Sequence, residues 1–145
     1  MAGEKSNDSR APVTGRSRLI DQALILALLL VAPVIAFARL NLGSARGLVL
    51  VTLVLTSLLA FFCQWIDKRR AEKNDWRVPE AVLHLLELLG GWPGSYVAQR
   101  VFRHKTSKLI YQAVFWLIAL LYEFVAVDFL LGWKITQQVR QLVGF

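Results

Sequence analysis

Three ionisable side chains recur at helical spacing in the middle of the 145-residue sequence, at Glu80, His84 and Glu87. On an α-helix these positions fall within roughly 60° of one another, so the three groups share one face. Carboxylate and imidazole groups at this spacing can relay protons or hold a divalent metal. Glu80 also follows Pro79, however, and a carboxylate in a first helical turn is stabilised by the helix dipole alone. The pattern therefore favours helix capping and packing over a proton relay, and a metal least.

A second candidate site combines cations with a hydroxyl group next to the apolar segments. Such groups suit a lipid phosphate or another anion at a membrane interface, although a cluster that only fixes orientation in the membrane would have the same composition. Asp67 and Glu80 could form ion pairs with these cations. The candidate lipid- or anion-binding residues are Lys68, Arg77, Arg103, His104, Lys105 and Thr106.

Glu123 is the fourth polar candidate inside an apolar segment, besides the Glu80, His84 and Glu87 face. A carboxylate at membrane depth should be neutral, paired or in contact with water, so Glu123 could pair with His84 or mark an ion path. If the helix ends near Tyr122, Glu123 is interfacial instead. One cysteine and two histidines leave no zinc site. No nucleophile–base, phosphate-binding or cofactor motif occurs, so we predict no catalytic residue, cofactor or metal.

The composition indicates that these residues belong to a membrane protein. Hydrophobic residues make up 56% of the chain and charged residues 19%, with a formal net charge of +7. Soluble domains have about half apolar and a quarter charged residues. We predict an all-α integral membrane protein with four hydrophobic helical segments, at about residues 19–38, 47–66, 79–101 and 109–133. A disordered basic tail (1–18) precedes them and a short interfacial amphipathic tail (134–145) follows. Alternatively, the first segment is a cleaved signal peptide, since a basic stretch precedes it and a small-x-small motif ends it.

The third segment contains a Gly-Gly-Trp-Pro-Gly break at residues 90–94. Proline removes a backbone donor, and small residues let another helix approach closely. The segment is thus predicted to be either a kinked span or a re-entrant hairpin. A re-entrant segment places more Lys and Arg inside than a crossing one, and both arrangements put the N-terminus in the cytoplasm. The predicted structural residues are Asp67, Pro79, Gly90, Gly91, Pro93 and Gly94.

Several short motifs between residues 67 and 116 occur together. They are Asp67-Lys68 with Ala71, Arg77-Val78-Pro79-Glu80 with Leu83, Gly90-Gly91 with Gly94, Arg103-His104-Lys105-Thr106 with Lys108, and the aromatic pair Tyr111 and Phe115. In this combination the chain resembles a family of small bacterial membrane proteins known as domain of unknown function 1294, except that Tyr111 replaces an expected phenylalanine. The resemblance implies a bacterial inner-membrane protein and brings no established activity. Some relatives carry an N-terminal cold-shock domain that binds nucleic acid, which residues 1–18 do not resemble.

We therefore expect a multi-pass protein of the bacterial inner membrane without enzymatic activity. Its polar cytoplasmic cluster is expected to bind anionic lipid headgroups or a membrane partner, and nucleic acid is not an expected partner. Two other functions stay open. One is a small oligomeric transporter or channel that uses Glu123 and the His84 face, and the other is a lipid-modifying enzyme with His84 or His104 as its base.

Overall fold

Every regular element in the described part of this computed structural model is helical, which confirms the prediction of an all-α protein. The structure describes residues 15–73, 75–76, 78–102, 106 and 108–144, with residues 15–19 as backbone. These residues form the helices α1 (Gly15–Arg39), α2 (Arg46–Glu72), α3 (Glu80–Leu86), α4 (Trp92–Phe102), α5 (Leu109–Leu130) and α6 (Lys134–Val143). A 3-10 helix, Gly43–Ala45, connects α1 to α2, and a π-helical turn, Glu87–Gly91, connects α3 to α4.

Within the described residues, three helical stretches are long and apolar enough to cross a membrane. They are Ile20–Arg39, Gly43–Glu72 and Leu109–Leu130, with 20, 30 and 22 residues. About 20 helical residues cover the hydrocarbon core of a bilayer, so each stretch has sufficient length. Their outward surfaces are apolar, as helices in lipid require: Leu28, Leu48 and Leu117, for example, are each about 70% exposed. These stretches correspond to the first, second and fourth predicted segments.

The second helix is longer than predicted, because it ends at Glu72 and not at Ile66. The additional turn contains neither glycine nor proline, and Lys68 and Glu72 form an i,i+4 ion pair at 3.6 Å. Part of the predicted charged loop, from Asp67 onward, is therefore helical. Helix α1 likewise begins at Gly15, within the predicted tail, whose residues 1–14 lie outside the described residues.

Helix α5 ends at Leu130, before the predicted boundary at residue 133. Gly132 and Trp133 adopt left-handed backbone conformations, with φ of 71° and 61°, and this terminates the helix. The buried carboxylate of Asp128 accepts a hydrogen bond of 2.9 Å from the backbone N–H of Ile135 in the first turn of α6. Asp128 thus satisfies a free backbone donor at the start of α6 and holds α6 against α5.

The chain reverses direction at Gly90, where φ is 103° and the helical geometry is broken. Just before α3, the backbone N–H of Val78 donates to Asp67 of α2 at 2.9 Å. Gly90 then approaches Leu53, which lies nearer to the N-terminal end of α2 than Asp67 does. At the end of α4 the ring of Phe102 lies 5.2 Å from that of Phe61, back toward the Asp67 end. Helices α3 and α4 are therefore the two arms of one hairpin, Glu80–Phe102, packed against α2.

An aromatic core holds the second arm of the hairpin between α1 and α5. Trp92 and Tyr96 of α4 and Phe115 and Ile118 of α5 are buried together, and leucines of α1 pack against them. The Tyr96 hydroxyl also donates to the backbone carbonyl of Gln22 at 3.3 Å. This packing fixes the hairpin relative to the three long helices, and so positions the polar residues described next.

Candidate functional site

A buried hydrogen-bond network joins the first arm of the hairpin to α2 and α5. Glu87, Tyr111 and Gln64 are fully buried. The Tyr111 hydroxyl donates to Glu87 Oε1 at 2.7 Å, and Gln64 Nε2 donates to the Tyr111 oxygen at 2.6 Å. The second carboxylate oxygen of Glu87, Oε2, lies 2.7 Å from His84 Nδ1. Both oxygens of the buried carboxylate thus have a partner, as burial of a charged group requires.

His84 is the member of this network nearest to the surface, with 18% of its side chain exposed. Its ring packs against that of Tyr111 with the centroids 4.4 Å apart and an angle of 30° between the planes. His84 and Glu87 thus form a hydrogen-bonded pair at the edge of the network.

The other predicted polar residues of this region have different partners. Glu80 bonds to Lys108 at 2.8 Å, and about half of each of these two side chains is exposed. The predicted Glu80, His84 and Glu87 face is consequently divided between two interactions. Asp67 is buried one turn beyond Gln64 and accepts the bond from Val78. No group of three or more potential metal ligands occurs among the side chains that the structure describes.

The end of α2 carries a groove of cations and aromatic rings, which we call the interfacial groove. Its first cleft, of about 300 Å³, is lined by Trp65, Lys68, Arg69, Glu72 and, from the hairpin, Phe102. The adjoining second cleft, of about 270 Å³, shares Trp65 and Arg69 and adds Ile66, Arg70, Lys73 and Asp75. The Arg69 guanidinium lies 4.8 Å above the Trp65 ring, a cation–π arrangement that holds this cation at the groove. Four cations and two carboxylates line the groove, so it suits an anion.

The other predicted anion-binding residues do not line the interfacial groove as far as the structure describes them. Thr106 lies in an exposed turn between α4 and α5. Arg77, Arg103, His104 and Lys105 lie outside the described residues. Lys68 is therefore the member of the predicted set that the structure brings into the interfacial groove.

Glu123 stands apart from the buried network. It lies twelve residues beyond Tyr111 on the same helix, a distance of about 18 Å, whereas His84 packs directly on Tyr111. Its Oε1 atom is shielded from solvent and has no hydrogen-bond partner among the described residues. The neighbouring Tyr122 hydroxyl donates to the backbone carbonyl of Leu88 at 2.6 Å, next to the hairpin turn.

Sequence reasoning did not single out the glutamines of this region. Gln64 lies in the network, and Gln112 Nε2 of α5 donates to Gln99 Oε1 of α4 at 2.6 Å. Arg69 and Trp65 were likewise not predicted as binding residues, although both belong to the interfacial groove. Gln64 had a usable signal, because it is the one amide side chain in the uncharged stretch 47–66, and a buried amide needs a partner.

These features describe a small helical protein with three candidate membrane helices. Part of its sequence is similar to known proteins. Residues 57–111 match the family described as "Protein of unknown function (DUF1294)", which confirms the predicted resemblance. A curated relative, "Uncharacterized protein YsdA" of Bacillus subtilis (strain 168), is 40% identical over 55 residues, covering 38% of this chain and 62% of the relative. The chain thus spans less than two thirds of the length of that relative. No solved structure matches the chain.

The matching segment, residues 57–111, contains most of the features described above. It includes the hairpin, the interfacial groove and every member of the buried network. Helix α1, most of α5 and all of α6 lie outside it. The sequence similarity to the family is therefore concentrated in the hairpin and in the C-terminal part of α2, against which the hairpin packs.

Proposed function

We propose that this protein is an integral protein of the bacterial inner membrane that holds anionic lipid headgroups at its cytoplasmic interface and catalyses no reaction. The observation that carries the proposal is the interfacial groove, in which Lys68 and Arg69 lie beside Trp65 and Phe102 at the end of an apolar helix. Tryptophan is enriched at the boundary between hydrocarbon and headgroups, and cations next to it meet lipid phosphates there.

The charge of the groove fits a phosphate-containing headgroup. A guanidinium group donates two parallel hydrogen bonds to a phosphate, and the Trp65 ring holds the Arg69 guanidinium in place. Lys68 pairs with Glu72 at 3.6 Å, and both of these partly exposed side chains line the first cleft. The predicted ligands Arg77, Arg103, His104 and Lys105 are retained in the proposal from the sequence.

The proposal includes a membrane arrangement in which α1, α2 and α5 cross the bilayer and the hairpin enters and leaves on the cytoplasmic side. The arms of the hairpin have 7 and 11 residues, equivalent to about 10 and 16 Å, whereas the hydrocarbon core is about 30 Å thick. Irregular backbone at membrane depth requires burial in protein, and Gly90 and Gly91 are buried. Both ends of the hairpin lie next to the cation-rich end of α2. By the positive-inside rule this end, and with it the N-terminus, is cytoplasmic.

The proposal predicts that lipid retention depends on the two cations of the first cleft. Lys68→Gln combined with Arg69→Gln should weaken retention of phosphatidylglycerol roughly thirtyfold, because each cation contributes about 1 kcal/mol at an anionic surface. Native mass spectrometry of the purified protein with phosphatidylglycerol and phosphatidylcholine measures this directly. Retention of phosphatidylcholine should not change.

The matched control removes two exposed cations from the opposite end of the long helices, with Arg39→Gln and Lys134→Gln. This variant has the same net charge as the first, so a general charge effect would reduce lipid retention in both. Equal losses in the two variants, or no loss in either, would contradict headgroup binding at the interfacial groove.

Proton- or ion-linked transport by an oligomer is a second candidate function, and Glu123 favours it. Its carboxylate lies within a candidate membrane helix and has an oxygen without a partner among the described residues. Carboxylates in such positions mark ion pathways in transport proteins. Ion flux in vesicles containing the purified protein, lost in Glu123→Gln and kept in Glu72→Gln, would support transport.

A further inference from the structure

An apolar crevice lies beside the turn of the hairpin, between α1, α2 and α5. It has a volume of about 450 Å³, and its lining includes Pro33 and Phe37 of α1, Val54 and Leu58 of α2, and Trp92 of the hairpin. The two hydroxyl groups at its wall have internal partners, since Tyr122 donates to the carbonyl of Leu88 and Ser57 to that of Gly90. The crevice therefore offers a ligand apolar contacts in place of hydrogen bonds.

This crevice and the interfacial groove lie on the same face of α2. At 100° per residue, Val54, Leu58, Phe61, Trp65 and Arg69 fall within a sector of about 80°. Along the helix axis, Leu58 at the near edge of the crevice is about 10 Å from Trp65, Val54 is about 16 Å from it, and Leu50 at the far edge is about 22 Å from it. One leaflet of the hydrocarbon core is about 15 Å thick, so an acyl chain whose headgroup lies at Trp65 reaches the part of the crevice between Leu58 and Val54.

We propose that the crevice binds one acyl chain of an anionic phospholipid whose headgroup occupies the interfacial groove. The inference rests on the proposed function, and it adds the site of the chain. Charge complementarity at the groove selects the headgroup, and the shared face of α2 directs the chain toward Leu58 and Val54. The volume is that of a small-molecule site, so the crevice accommodates one chain and no additional helix.

Leu58→Trp should fill the crevice and displace the chain. Leu59→Trp is the matched control, because both leucines are about half exposed and Leu58 lines the crevice whereas Leu59 does not. Native mass spectrometry should show that retention of dioleoyl-phosphatidylglycerol falls at least about tenfold in Leu58→Trp and does not change in Leu59→Trp. A tenfold loss of affinity corresponds to the burial of only a few methylene groups of the chain. Retention of the short-chain dihexanoyl lipid should be equal in both variants.

Two outcomes of this experiment separate the inference from the proposed function. If the Lys68→Gln and Arg69→Gln double variant loses the dioleoyl lipid while Leu58→Trp keeps it, the acyl-chain site is wrong and headgroup binding stands. If the double variant also keeps the lipid, both are wrong.

A fluorescence measurement on the unaltered protein provides an independent test. Trp92 is one of five tryptophans and lines the crevice, so phosphatidylglycerol with brominated chains should quench the total tryptophan emission more than phosphatidylcholine with the same chains in bilayers of equal bromine content. The excess quenching should disappear in Trp92→Phe. Equal quenching by the two lipids in the unaltered protein would overturn the inference.

Discussion

Replacement of Gly94 by alanine is expected to prevent the hairpin from packing on α2 and to leave little folded protein. A Cβ atom at Gly94 would lie 2.6 Å from the carbonyl carbon of Ser57 and would overlap the carbonyl oxygen. The Cβ atom would be fixed to the backbone of α4 and the Ser57 carbonyl belongs to the backbone of α2, so neither can move aside as the end of a side chain could. Overpacking usually costs about 1–3 kcal/mol, and a backbone-to-backbone overlap belongs at or above the top of that range. Gly91→Ala should act similarly, since its Cβ would lie 2.7 Å from the Thr56 carbonyl oxygen.

Gly47→Ala is the control for these variants, because Gly47 also lies in α2 but has no atom within 4 Å of its Cβ position. Its folded yield and thermal midpoint should equal or slightly exceed those of the unaltered protein, because alanine has a higher helix propensity than glycine. Size-exclusion chromatography in detergent and thermal unfolding measure both quantities. A Gly94→Ala protein as stable as Gly47→Ala would mean that the hairpin does not approach α2 this closely.

Glu87→Ala is expected to cause the second-largest loss of stability, of about 2–5 kcal/mol. A buried hydrogen-bonding group left without its partner usually costs about 1–3 kcal/mol, and Glu87 is the partner of two such groups. The variant leaves the Tyr111 hydroxyl without its acceptor and His84 without its carboxylate. The network connects α2, the hairpin and α5, so the loss should appear as a lower free energy of unfolding for the whole protein, measured by denaturant unfolding in detergent.

Two tyrosine variants test the same network with a matched comparison. Tyr111→Phe removes a hydroxyl that bonds to both Glu87 and Gln64, and should cost about 1–3 kcal/mol. Tyr96→Phe removes a hydroxyl with one longer bond, of 3.3 Å, and should cost less than about 1 kcal/mol. Equal losses for the two, or a Glu87→Ala protein as stable as the exposed control Glu72→Ala, would contradict a stabilising role of the network.

The long helices could be predicted from the sequence because hydropathy and length decide them locally. Three predicted segments correspond to α1, α2 and α5. Helix ends were less predictable, since the α2 extension depends on the helix-forming residues 67–72 and the end of α5 on left-handed conformations at Gly132 and Trp133. The glycine–proline motif located the irregular segment. Its reversal at Gly90 depends on contacts with α2, which a local pattern does not contain.

The candidate site was predictable only where its partners are close in sequence. The His84–Glu87 pair follows from i,i+3 spacing on one helix. Tyr111 bonds to Glu87 across 24 residues, Gln64 bonds to Tyr111 across 47, and Lys108 bonds to Glu80 across 28. These contacts form because the hairpin packs between the long helices. The interfacial groove depends on the same packing, since the returning arm brings Phe102 next to Trp65 and Arg69.

Cysteine labelling in intact cells tests most directly whether the hairpin enters and leaves on the cytoplasmic side. Cys63 is the only cysteine, so a Cys63→Ser background accepts single cysteines at Ser44, Asp75, Thr106 and Gln138, all exposed. With a membrane-impermeant thiol reagent, we predict that Ser44→Cys and Gln138→Cys are labelled, and that Asp75→Cys and Thr106→Cys react only after the membrane is permeabilised. Labelling of Thr106→Cys in intact cells, with Gln138→Cys protected, would show that residues 80–102 cross the membrane and would contradict the proposed arrangement.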